Sequence, residues 1–135
     1  MTTEDRGPAS SFDQLIGTEW ISDDPADARA RVPLRDDLRQ PYGLLHGGVV
    51  STLVESLCSR ATAIAVHPDG SIAMGQAIEV SLLRPVTTGG AEARARARHR
   101  GRTTWVWEVE VFGGDQRLCA LAKMTLAVRT RPDQA

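Results

Sequence analysis

The sequence lacks most of the features that would mark a specialised class. It has two cysteines, Cys58 and Cys119, isolated from each other and set in apolar stretches. Such a pair makes neither a disulfide framework nor a metal site. Both read as small buried hydrophobes, in keeping with a reducing compartment. The three histidines, His46, His67 and His99, form no ligand cluster, so no metal is implied. Charge of one sign is also missing. With 16 basic and 17 acidic residues the formal net charge is −1, and no overall field favours nucleic acid or an anionic membrane. No apolar run approaches the roughly 18–20 residues that span a bilayer. The opening MTTEDRGPASS has no apolar core of a signal peptide. Internal repeats and low-complexity segments are absent. The expectation is a cytoplasmic protein with one domain over residues 1–135, its ends (1–10 and 129–135) being flexible tails.

The composition that remains, 41% hydrophobic and 24% charged, suits a globular domain able to bury a core. SFDQLIG (11–17) predicts a short helix capped by Ser11 and ended by Gly17. Glu19 to Ser22 reads as extended. In DARARVPL, Ala28, Ala30, Val32 and Leu34 alternate with Arg29 and Arg31, the pattern of a half-buried strand. A polar connector, RDDLRQPYGLL (35–45), leads into a helix from about Gly47 to Val66, stopped by HPDG (67–70). Val50, Leu53, Val54, Leu57, Ala61 and Ile64 lie on one apolar stripe of that helix. The rest is strand: 71–83, 91–99, 103–112 and 117–128, joined mostly by short turns that imply antiparallel neighbours. Leu118, Ala120, Ala122, Met124, Leu126 and Val128 share one face of the last strand. Trp105 and Trp107 share a face too, and read as packed inside or in a subunit interface. A curved antiparallel sheet with one helix across it satisfies the layer rule.

The long helix raises one chemical question. Glu55 is its single acid, with Ser51, Thr52, Ser59 and Thr62 at helical spacing around it. A solvated polar face would carry more charge, whereas one carboxylate among small groups suits close packing against something else. The helix opens with His46-Gly47-Gly48. Its first N–H groups lack intrahelical acceptors and carry partial positive charge, and glycines let a ligand oxygen approach closely. That is a site for a carbonyl becoming an oxyanion. His46 and Glu55 are nine residues apart, roughly 13 Å along the axis and on opposite sides of it. They can share a substrate only if one of them comes from a second chain, as a two-fold dimer allows.

QPYGLLHGGVVSTLVES resembles the hotdog-fold acyl-CoA thioesterases. It is similar to the branch with one type of 4-hydroxybenzoyl-CoA thioesterase and the enterobactin and menaquinone pathway thioesterases. SLLRPV (81–86) with Gly89, and HRGRTTWVWEVEV (99–111), extend the resemblance to about residues 12–128. The phenylacetate-pathway branch usually has aspartate where this chain has Glu55. The resemblance implies an α+β hotdog fold: a curved antiparallel sheet of five to six strands wrapped around one long central helix. It implies hydrolysis of an acyl-CoA, aromatic or short to medium chain, without a cofactor, in a homodimer that assembles to a tetramer. Glu55 is then nucleophile or general base, the N–H of Gly47 polarises the thioester carbonyl, and Gln40 positions the thioester or water. His46 orients the loop or the substrate carbonyl, and Ser59 matches a hydroxyl near the attacking group. Gly48, Arg84, Arg100 and Arg102 are candidates for contacts to substrate and CoA, Arg102 ahead of Arg100, because a guanidinium suits phosphate. Arg94, Arg96 and Arg98 read as a solvated face paired with Glu108 or Glu110. Two rival readings are a hotdog hydratase or dehydratase, and a non-catalytic acyl-CoA-binding protein on the same fold.

Overall fold

The computed structural model describes residues 10–132, and all but Ser10 of the expected N-terminal tail lies outside them. The chain forms α1 (Ser11–Ile16), β1 (Glu19–Ser22), β2 (Ala28–Pro33), α2 (Gly47–Val66), β3 (Ser71–Leu82), β4 (Gly90–Arg100), β5 (Thr104–Gly113) and β6 (Leu118–Thr130). One antiparallel sheet holds all six strands in the order β1-β2-β4-β5-β6-β3, so β3 is an edge paired only with β6. The cap of α1 is Ser10, one residue earlier than expected; its Oγ accepts from the N–H of Phe12. The expected tail from residue 129 is corrected too. Arg129 and Thr130 belong to β6, and the N–H of Arg131 donates to the carbonyl of Gly70 at 2.9 Å.

Alternation explains the two faces of the sheet. Ala28, Ala30 and Val32 of β2 and Ala91, Ala93 and Ala95 of β4 are buried under α2. On the outer face Arg94 pairs in register with Glu110, and Arg96 with Glu108. A bulge between Ala97 and His99 takes Arg98 out of the alternation, though it still reaches Glu108 at 3.6 Å. Trp105 and Trp107 are both buried, their ring centroids 6.1 Å apart.

The helix packs along rows of residues four apart. Val50, Val54, Cys58, Thr62 and Val66 form one buried row, and Leu53, Leu57 and Ala61 the next. Ser51, Glu55, Ser59 and Ala63 form a row that is not buried. Two expectations change here. Ile64 is only half-buried, and Thr62 belongs to the core rather than to the face of Glu55. The stretch Gly47–Asp69 is also long and apolar enough, by length and composition, to cross a membrane, contrary to expectation. In this fold its two buried rows are covered by the sheet. Cys58 and Cys119 are free and buried, and burial pushes both thiols up, so they act as small hydrophobes.

Thr62 ties helix to sheet. Its hydroxyl donates to the carbonyl of Cys58 at 2.7 Å and accepts from Trp107 Nε1 at 2.8 Å. Thr62→Val keeps the shape but leaves a buried indole N–H unpaired, an expected cost of about 1–3 kcal/mol. Urea unfolding checks it, with a lower midpoint at unchanged slope.

Candidate active site

The connector before α2 is held at several points. The N–H of Leu45 donates to Val86, and the N–H of His46 to Leu38. Gln40 opens a tight turn through Pro41 to Gly43, whose φ of +87° suits glycine. The side-chain oxygen of Gln40 accepts from the N–H groups of Tyr42 and Leu44. Its amide NH₂ is therefore the end left to donate elsewhere.

His46 is the N-cap of α2. Its Nδ1 accepts from the N–H of Gly48 at 2.8 Å, which puts the ring proton on Nε2. The N–H of Val49 donates to the His46 carbonyl. Among the described residues, the N–H of Gly47 has no partner. The positive end of a 20-residue helix thus presents one uncommitted donor. This narrows the expectation for Gly48, whose N–H is taken by His46. Its missing side chain makes room for that ring, since a Cβ there would lie 3.0 Å from Nδ1.

Gly47 borders a cleft of about 250 Å³, lined also by Gln40, Leu44, Val50, Leu82 and Arg84. A Cβ on Gly47 would come within 2.6 Å of Leu82 Cδ1, so a side chain there would displace the tip of that exposed leucine. Leu44 and Leu82 are cleft residues that the sequence reading passed over as connector and strand. The signal for Leu82 was its place just ahead of Arg84-Pro85. Most of the cleft wall is apolar, with Gln40, Arg84 and the backbone of Gly47 as its polar points, the usual composition of a small-molecule site.

Glu55 lies eight residues beyond Gly47, about 12 Å along the helix. It is exposed, rests against β3 at Gly75, and has no hydrogen bond or ion pair among the described residues. Ser59 follows on the same open row. Neither residue lines the Gly47 cleft. Arg100 and Arg102 stand elsewhere again. Arg100 lies 5.8 Å from the Trp105 ring centroid, and Arg102 is exposed in the turn. That turn is at the Ser71 end of the sheet, whereas Arg84 follows the Leu82 end. The ends of the 12-residue β3 are roughly 35 Å apart. Within one chain the predicted residues therefore form three groups: Gln40, His46, Gly47, Gly48 and Arg84; then Glu55 and Ser59; then Arg100 and Arg102.

Comparison with known proteins gives the class. An antiparallel sheet packed on one long helix is shared with a solved thioesterase from Haemophilus influenzae. That structure is 30% identical, with a TM-score of 0.86 over 96% of this chain and 92% of that one. The chain belongs to the thioesterase superfamily, whose family model matches residues 42–120. It is 31% identical to a 1,4-dihydroxy-2-naphthoyl-CoA hydrolase of Listeria monocytogenes, over 87% of this chain and 95% of the relative. It is also 32% identical to a proofreading thioesterase of Cronobacter turicensis, over 84% and 82%. The protein is a thioester hydrolase with the hotdog fold.

The cap gives a direct test. His46→Ala removes the acceptor for Gly48 and should lower stability by about 0.5–2 kcal/mol, while His46→Asn, a good N-cap, should retain most of it. Thermal unfolding of the two variants side by side measures the difference.

Proposed function

We propose that the protein hydrolyses acyl-CoA thioesters, with an aromatic or short to medium acyl group, at a site built by two copies of the chain. The observation that carries this is the uncommitted N–H of Gly47, a residue that borders a largely apolar cleft together with Gln40. A thioester carbonyl seated there accepts from that N–H at the positive end of α2. The interaction strengthens as the oxygen becomes negative during attack. The name of the Listeria relative supports an aromatic acyl-CoA as the first substrate to assay.

The attacking group is the Glu55 carboxylate. In one route it bonds to the carbonyl carbon, the C–S bond breaks, and CoA leaves as thiolate; water then opens the mixed anhydride to acid and carboxylate. In the other, Glu55 takes a proton from a water that attacks directly. Both routes pass through the same oxyanion. Labelled water oxygen retained in the protein after a single turnover identifies the anhydride.

The second copy follows from how helix and strand are levelled. Gly47 abuts Leu82, and Glu55 abuts Gly75. Strand β3 is an unpaired edge with Met74, Ile78 and Leu82 exposed, a surface that invites a further strand. A two-fold axis beside Ile78 and Glu79 sets Gly75 of one copy level with Leu82 of the other. Each Glu55 then stands level with the partner's Gly47. The same axis carries the Arg100 and Arg102 turn of one chain toward the partner's cleft.

Two measurements test this reading. Glu55→Gln should lower kcat by about 10²–10⁴-fold with the circular dichroism spectrum unchanged, in a thiol-release assay over aromatic, short and medium acyl-CoAs. Near-normal turnover would remove Glu55 from the chemistry, and saturable binding by the native protein without thiol release would make it a binding protein. Mixing also reports the shared site. Glu55→Ala and Gln40→Ala are each expected to be inactive, but a mixture allowed to exchange subunits should recover about a quarter of native activity. Sedimentation should show a dimer or a tetramer, never an active monomer.

A further inference from the structure

Glu55 presents a puzzle that the reaction does not explain. A carboxylate meant to attack at a fixed point needs a fixed position, yet Glu55 is exposed and has no hydrogen bond or ion pair among the described residues. The structure sets its carboxylate beside Gly75 of β3. A Cβ built on Gly75 would stand 2.9 Å from Glu55 Oε1, 3.7 Å from Glu55 Cδ, and 2.9 Å from Met124 Cε. The carboxylate thus occupies a notch whose floor is the bare backbone of Gly75, with the Met124 methyl flanking the same point.

Gly75 is otherwise out of place. Glycine inside a strand weakens it and marks a bulge or the close approach of another group. Its φ is not among the positive values in this chain, so any L-residue could adopt its backbone. What a side chain there would meet is the Glu55 carboxylate and the Met124 methyl. The register supports the same placement. Gly75 pairs with Leu126, Ala77 with Thr125 and Ile78 with Met124, so Gln76 is an extra residue in a bulge. Ile78, Val80 and Leu82 pair with Met124, Ala122 and Ala120, the helix-facing positions of β6. Regular alternation carried back from them would turn Gln76 and Met74 toward α2. The bulge resets the strand, so Gly75 and Ala73 face the helix instead, and Met74 turns away.

We infer that Gly75, placed under α2 by the Gln76 bulge, is a positioning residue that seats the Glu55 carboxylate for attack. This rests on the catalytic role of Glu55 proposed above. The two groups a new methyl would meet are the ends of flexible side chains, so Gly75→Ala should fold while moving the carboxylate. The expected result is a dimeric protein with a native circular dichroism spectrum, KM within about twofold, and kcat lowered at least tenfold. In a Glu55→Asp background, whose shorter side chain withdraws from the notch, the same substitution should change kcat less than twofold. A Gly75→Ala protein with near-native kcat, or one that loses KM and kcat together, overturns the inference. So does an equal loss in the Glu55→Asp background. If Gly75→Ala does not fold, Met124→Leu reshapes the notch from the buried side, a swap cores tolerate well. It should lower kcat at unchanged KM, and an unchanged kcat would be the contrary result. Should Glu55→Gln itself keep full turnover, the proposed chemistry falls; should Glu55→Gln be dead while Gly75→Ala is native, only the seat falls.

Discussion

Everything chemical in this molecule depends on how α2 lies against the sheet. Its buried rows, Val50-Val54-Cys58-Thr62-Val66 and Leu53-Leu57-Ala61, rest on a sheet whose β2 and β4 contribute alanines. Small side chains below and larger ones above interlock at one rotation only. A roll by one residue, about 100°, would drive Glu55 into the core unpaired and lift leucines into water. Because the helix cannot roll or slide, each of its residues keeps a set level on the neighbouring strand. Gly47 is held at Leu82 and Glu55 at Gly75. The cleft, the carboxylate and the open edge of β3 inherit their spacing from that fit.

The helix start shows how a cap can leave one donor free. N-capping usually satisfies orphan donors, yet His46 spends its ring nitrogen on Gly48 and its carbonyl on Val49. What stays uncommitted among the described residues is the N–H of Gly47, a residue that borders the cleft. The two glycines face different neighbours: a side chain at Gly47 would meet the tip of Leu82, one at Gly48 the imidazole.

Much of this was legible from residue spacing. The period of α2, the alternation of Arg29, Arg31, Arg94 and Arg96, and the isolation of Glu55 all carry through to the structure. What stayed hidden were effects that break a period. Ile72, Met74, Ile78, Val80 and Leu82 read as one regular strand, and nothing local to Gln76 announces an extra residue. Thr62 lies at a helical angle close to that of Glu55, but the buried stripe follows rows of four that drift around the axis, and the fold covers the helix's second half with Trp107. The distance between the Arg100 turn and the cleft is a matter of strand pairing, which no single segment encodes. Apolar average misled as well: Gly47–Asp69 is apolar enough for a bilayer because its polar positions are small hydroxyls rather than charges.

The two sulfhydryls acquire a meaning from the product. Hydrolysis of a thioester liberates a thiol at every turnover, and Cys119 borders the Gly47 cleft. Cys119 is only 2% exposed, Cys58 is fully enclosed, and burial holds both in the protonated form that does not attack disulfides. The enzyme thus offers its thiol product no reactive partner: a disulfide formed from that product finds no thiolate to join.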